Sequence, residues 1–256
     1  YMLTSNITSS GDGIVVERDN VIIDGAGYTL EGTRSGIGID LSGRTNVTVQ
    51  NTQIKNFDYG IYLNSTSHSV LSRNNITENK YSGIWLRYSS NNSVSDNKVT
   101  ANGWGYIGFQ VPGHGFGGIG LLDSSNNSII RNSVTTNKGE YGIDFGGASY
   151  NVISGNNITA NKGSGIDVLF LSNYNDIVRN NIISNERIGI FVGGSSNTIS
   201  ENHIENNGID GIQSSYLSDG TISENKIKEN KNSGIMLRDS RNNTISGNNI
   251  ANSRYG

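Results

Sequence analysis

Gly142-Ile143-Asp144-Phe145 returns 23 residues later as Gly165-Ile166-Asp167-Val168, and Ile153, Asn156, Ile158 and Asn161 lie between the two copies. Working outward, the Gly-Ile pair recurs at Gly13, Gly36, Gly60, Gly83, Gly118, Gly142, Gly165, Gly189, Gly211 and Gly234. The successive spacings are 23, 24, 23, 35, 24, 23, 24, 22 and 23 residues. A period of some two dozen residues is the signature of a solenoid. Two places after the Ile comes another apolar residue, as in Leu63, Leu86, Leu121, Phe145, Val168 and Val192, and that period of two means strand. Ser214 breaks the file.

Further along each unit, an aliphatic residue is followed by Asn three positions later and a second aliphatic residue two beyond it, as in Val94, Asn97, Val99 and in Ile177, Asn180, Ile182. One Asn column holds Asn74, Asn97, Asn132, Asn156, Asn180, Asn202, Asn225 and Asn248. A second holds Asn79, Asn102, Asn137, Asn161, Asn185, Asn207 and Asn230. Asn tolerates the left-handed backbone region, so each marks a bend between short strands. Stacked at strand spacing, about 4.8 Å, the amides could bond to one another up each column. A left-handed β-helix needs a period of roughly 18, and propeller blades about 40 or more. Leucine-rich repeats need a near-helical return segment, which stretches dense in Asn, Ser, Gly and Thr do not favour. The sequence therefore predicts one all-β domain over residues 1–256, a right-handed parallel β-helix of about ten coils with three short strands each.

Composition agrees with that class and excludes others. The chain carries 38 Asn and 34 Gly, only 16% charged residues and a single proline, Pro112. Disordered chains carry more charge and more Pro. Net charge is -3, and Lys and Arg are scattered singly, so nucleic acid is not an expected partner. There is no Cys, hence no disulfide or thiolate metal site. No apolar run approaches the roughly 20 residues of a membrane span. Tyr1-Met2-Leu3 is no secretion signal, and Gly256 stands 22 residues after Gly234, where another coil would start. These ends suggest a fragment of a longer chain, or a rod whose exposed strand edges stack end to end.

The units from Ile14 to Ile250 resemble the parallel β-helix repeats of the NosD-like and carbohydrate-binding/sugar-hydrolase families. The opening Val21-Ile22-Ile23-Asp24-Gly25-Ala26-Gly27-Tyr28-Thr29-Leu30 is similar to the first coils of bacterial and archaeal surface proteins of this kind. The resemblance covers nearly the whole chain and implies the fold more sharply than the chemistry, because such repeats serve lyases, hydrolases, epimerases, adhesins and accessory proteins alike. NosD proteins are tied to copper-site maturation, yet three His, two Met and no Cys make a poor soft-ligand set.

If aliphatic side chains fill the interior, chemistry must sit on the outward positions of the Gly-Ile strands. Those positions include Tyr59, Tyr62, Trp85, Arg87, Tyr141, Asp144, Asp167, Phe191 and Gln213. Aromatic and acidic side chains together are what a sugar-binding groove uses. The 35-residue interval marks an insertion at about 103–117 that contains Trp104, Tyr106 and His114, and loops on a rigid scaffold tend to carry function. Asp144 and Asp167 occupy equivalent places in neighbouring coils, outside the core. Carboxylates that close drive one pKa up and separate acid from base roles, or they bind Ca²⁺. Catalytic candidates are Asp144, Asp167 and His114; substrate-binding candidates are Tyr59, Tyr62, Trp85, Arg87, Trp104, Tyr106, Tyr141 and Phe191. Gly113-His114-Gly115 resembles the Gly-His-Gly signature of polygalacturonases, whose accompanying Asp-Asp and Arg-Ile-Lys coils are absent. The Asp-Pro-His-Asp signature of mannuronan epimerases is missing, and no adjacent Arg and Lys pair accompanies the Asp column.

Eight Asn-x-Ser/Thr sequons occur, at Asn6, Asn46, Asn64, Asn75, Asn91, Asn126, Asn157 and Asn242, as glycosylation of a surface protein would require. The expectation is an extracellular, cell-surface or periplasmic module that binds or organises polysaccharide. A lyase, hydrolase or epimerase of acidic glycans, and a structural subunit stacking into fibres, are the alternatives.

Overall fold

The computed structural model describes residues 1–104, 116–169 and 171–255. Its strands form three wholly parallel sheets of 11, 10 and 10 strands, and each sheet takes every third strand in chain order. That order is the topology of a right-handed β-helix of about ten coils, three strands to a coil. We call the three the Gly-Ile sheet, the second sheet and the third sheet, in the order in which each coil visits them. No helix among the described residues is long and apolar enough to cross a membrane.

The register explains the repeat. In the third of these sheets Leu30, Ile54, Ile76, Val99, Val134, Ile158, Ile182, Ile204 and Ile227 stand in one inward file. The second sheet files Val49, Leu71, Val94, Ile129, Ile153, Ile177, Ile199 and Ile222. With Ile61, Ile84, Ile143 and their Gly-Ile-sheet equivalents they make one continuous core, nearly all of it fully buried. Each such side chain contributes about 1.5–3 kcal/mol on burial.

The glycine of the pair is a steric requirement. A Cβ on Gly142 would stand 2.6 Å from the Gly165 carbonyl oxygen, 2.9 Å from Ile158 Cγ2 and 3.0 Å from Asn161 Nδ2. In one coil the register corrects the sequence reading. Gly38-Ile39, not Gly36-Ile37, lines up with its neighbours, since Ile39 pairs with Ile14 and with Ile61. Gly36 belongs to the preceding turn, with φ +75°.

The Asn columns are buried amide ladders. Asn97 Nδ2 and its main-chain N both donate to Asn132 Oδ1 at 3.0 Å, and Asn132 repeats the pattern onto Asn156. The second column does the same from Asn79 to Asn230. A third ladder, which the sequence reading missed, runs through Asn92, Asn127, Asn151, Asn175 and Asn197 at the remaining corner. The left-handed residue at each bend is not the ladder Asn but the one before it: Arg73, Asp96 and Arg131 precede Asn74, Asn97 and Asn132, with φ of 55°, 57° and 54°. The backbone turn aims the next side chain inward, where its amide satisfies corner groups that no strand can reach.

Candidate functional site

On the outward face of the Gly-Ile sheet, the register sets Asp40, Tyr62, Trp85, Gly120, Asp144, Asp167, Phe191, Gln213 and Met236 in a single file. Asp144 and Asp167 are therefore direct neighbours, as the repeat predicts. They are not solvated, however: Asp144 is 2% exposed and Asp167 6%. Burial and the adjacent Asp144 charge push the Asp167 carboxyl well above the ordinary carboxylate range, while Arg187 and a hydrogen bond from Tyr141 oppose the shift. Tyr141 is pushed up as well, by burial and by the two acids. A carboxyl whose proton affinity is raised by burial and by a neighbouring acid is suited to donating a proton.

Beside the pair opens a cleft of about 350 Å³, lined by Tyr141, Asp167, Arg187, Phe191, Ile209 and Gln213. Tyr141 and Phe191 are half-buried, as binding surfaces would be, and Arg187 stands exposed at the rim. Arg187 is hidden in the sequence because it lies outside the periodic strand positions. It lies in the turn, two residues before Gly189, so one cation does accompany the Asp column although no Arg and Lys pair does.

The remaining candidates fall into two other places. Tyr59, Tyr62 and Trp85 join Tyr81 and Phe116 in an aromatic cluster, with Tyr81–Phe116 at 5.0 Å, Tyr59–Tyr62 at 5.3 Å and Trp85–Phe116 at 6.2 Å between centroids. The Trp85 indole lies over Gly120, where a side chain would collide with it, and the residue is only 6% exposed. The cluster therefore grips Phe116, where the insertion rejoins the coil. Arg87 is exposed and its guanidinium covers Tyr88 at 4.9 Å. Trp104 sits around the corner, its Nε1 donating to the Glu78 carbonyl at 3.2 Å and Arg34 over its ring at 5.3 Å. With Asn56, Glu78 and Lys138 it lines a separate hollow of about 230 Å³. Tyr106 and His114 lie outside the described residues.

Several solved structures share the fold. The periplasmic alginate epimerase AlgG, as its D317A mutant, is 20% identical with a TM-score of 0.73, over 88% of this chain and 60% of that one. The Dettilon tailspike protein gp208 is 17% identical with a TM-score of 0.76, over 98% and 60%. The A-module of the Azotobacter vinelandii mannuronan C-5 epimerase AlgE4 is 15% identical with a TM-score of 0.71, over 99% and 82%. The chain thus spans about 60% of the length of AlgG and of the tailspike. At these identities the likeness is one of fold. No curated protein matches by sequence.

Residues 177–256 match the periplasmic copper-binding protein (NosD) family. Copper would need soft or imidazole donors brought together. Met2 and Met236 occupy opposite ends of the rod, in the first and last coils, and His68 and His203 lie on different faces. Among the described residues no three of His, Cys, Asp and Glu gather, so these residues do not fit such a site. The right-handed beta helix region family matches residues 3–138 and 109–216, most of the chain, and with the register just described this makes the protein a member of that family.

Proposed function

We propose that this chain binds polysaccharide along the outward face of its Gly-Ile sheet, in a periplasmic or extracellular setting, with the Asp167 cleft holding one sugar unit. The observation that carries the reading is the composition of that cleft. Phe191 and Tyr141 offer ring surface to the C–H face of a pyranose, Gln213 and the Asp167 carboxyl can exchange hydrogen bonds with hydroxyls, and Arg187 favours a sugar bearing a carboxylate. The periplasmic description of the NosD family and the alginate and mannuronan epimerases and tailspike among the structural neighbours support the class of partner and the compartment.

A second reading has its own support. Asp167, whose proton affinity is raised by burial and by Asp144 one coil away, forms with it a carboxyl pair of the kind that works on glycosidic bonds or on sugar C–H bonds. The same pair would also draw Ca²⁺.

Affinity electrophoresis through gels containing alginate, polygalacturonate or dextran, with Ca²⁺ or with chelator, tests both readings. Binding predicts retardation by an acidic polymer that falls at least about tenfold in Arg187→Ala with Phe191→Ala. Catalysis predicts in addition new reducing ends, an unsaturated product or an altered uronate stereochemistry, all lost in Asp144→Asn with Asp167→Asn. Free migration in every gel would refute the binding site. Concentration-dependent filaments would assign the rod to end-to-end stacking instead.

A further inference from the structure

Tyr150 and Tyr174 stand at the opposite end of the Gly-Ile strands from the cleft, in the turn that leads into the second sheet. Their rings are parallel within 4° and 4.9 Å apart, so the stack axis follows the rod. Both are exposed, at 55% and 52%. Both hold left-handed backbone, with φ of 59° and 56°. The equivalent residue, just before the third amide ladder, is Asn20, Asn46, His68, Asn91, Asn126, Ser196, Asp219 and Asn242 in the other coils, all with φ between 54° and 60°. Five of those eight are Asn, the side chain this conformation suits best, and bulky aromatics are costly there. Packing does not require the tyrosines, because the corner is held by the Asn151 and Asn175 amides and by main-chain bonds from Tyr150 N to Asn173 O and Tyr174 N to Ser195 O, each 3.0 Å.

From this geometry we infer that Tyr150 and Tyr174 form a second carbohydrate platform, separate from the cleft, that stacks an uncharged pyranose on the open face of Tyr174. The stack stops where Ser196 replaces a third ring. One coil spacing, the 4.9 Å seen between the two tyrosines, is also the thickness a sugar ring needs when stacked. Small hydroxyl and amide side chains border the slot: the Ser195 N–H donates to Asn173 Oδ1 at 2.7 Å, and the Ser195 and Ser218 hydroxyls bond each other at 2.7 Å. An apolar ring face edged by such groups matches a pyranose, apolar above and hydroxylated at its rim, better than it matches a lipid or an apolar peptide. Asp176, two residues after Tyr174, and Asp219, two coils farther along the column, are acids, which disfavours uronates, and Arg241 lies one coil beyond Ser218.

The test uses native gels containing hydroxyethyl cellulose, an uncharged glucan polymer. Wild type is expected to be retarded, and Tyr150→Asn with Tyr174→Asn to lose about tenfold in affinity while keeping its circular dichroism and melting temperature. These replacements restore the residue most common in the column, so folding is preserved. Arg187→Ala with Phe191→Ala should leave this retardation unchanged, which separates the platform from the cleft. The inference is overturned if wild type migrates freely, if the double variant is retarded as much as wild type, or if the tyrosines prove to act only in concentration-dependent self-association by sedimentation.

Discussion

Replacing Asn132 by Ala tests how the amide ladders hold the rod together. Asn132 is 1% exposed, in mid-column. Its Oδ1 accepts from Asn97 N and Asn97 Nδ2, both at 3.0 Å, and its Nδ2 donates to Val94 O at 2.8 Å and to Asn156 Oδ1 at 3.1 Å. Truncation leaves the Asn97 main-chain N–H without an acceptor and Asn97 Nδ2 with only its bond to Leu71 O at 2.9 Å. Each buried donor left unsatisfied costs about 1–3 kcal/mol, so two give roughly 2–6 kcal/mol. Asn157, exposed on its strand, is the control, and Asn157→Ala should cost no more than about 0.5 kcal/mol. Urea denaturation, comparing midpoints at constant slope, measures both. An Asn132→Ala loss as small as that of the control would refute the idea that buried amides satisfy the corners.

Two further outcomes follow from the site. Asp167 has a folded pKa raised above its unfolded value near 3.8, so the folded state keeps a proton that the unfolded chain gives up. Stability should therefore fall as pH rises above about 4 until the folded pKa is passed, and Asp167→Asn should remove that fall, becoming more stable than wild type by a margin that grows with pH; denaturation at pH 4 and pH 8 reads it. Gly120→Ala should expel the Trp85 indole from the aromatic cluster, shifting its fluorescence to the red in a Trp104→Phe background and costing about 1–3 kcal/mol; unchanged emission would show that the indole does not rest on Gly120.

The fold was legible because the interior of a β-helix repeats: each inward Ile or Leu must meet its equivalent one coil away, so spacing in sequence becomes register in space. Asp144 and Asp167 were placed together for the same reason. The slip at Gly36 was not legible, since Gly36-Ile37 and Gly38-Ile39 satisfy the same pattern and only strand pairing separates them. The left-handed positions were hidden too, because residues as different as Arg73, Asp96 and Glu224 hold them. In the site, identity was readable and burial was not. Asp167 looked like a surface acid, and its desolvation depends on Tyr141 and on side chains from adjacent coils. Arg187 escaped notice because turns carry no periodic signal.

The most direct measurement is a crystal structure of the chain with an oligouronate of four to six units. The account predicts sugar density over the Asp144–Asp167 pair, with a ring against Phe191 and Tyr141 and a carboxylate at Arg187. A bound oligosaccharide lying on another face, with that cleft left to solvent, would contradict it.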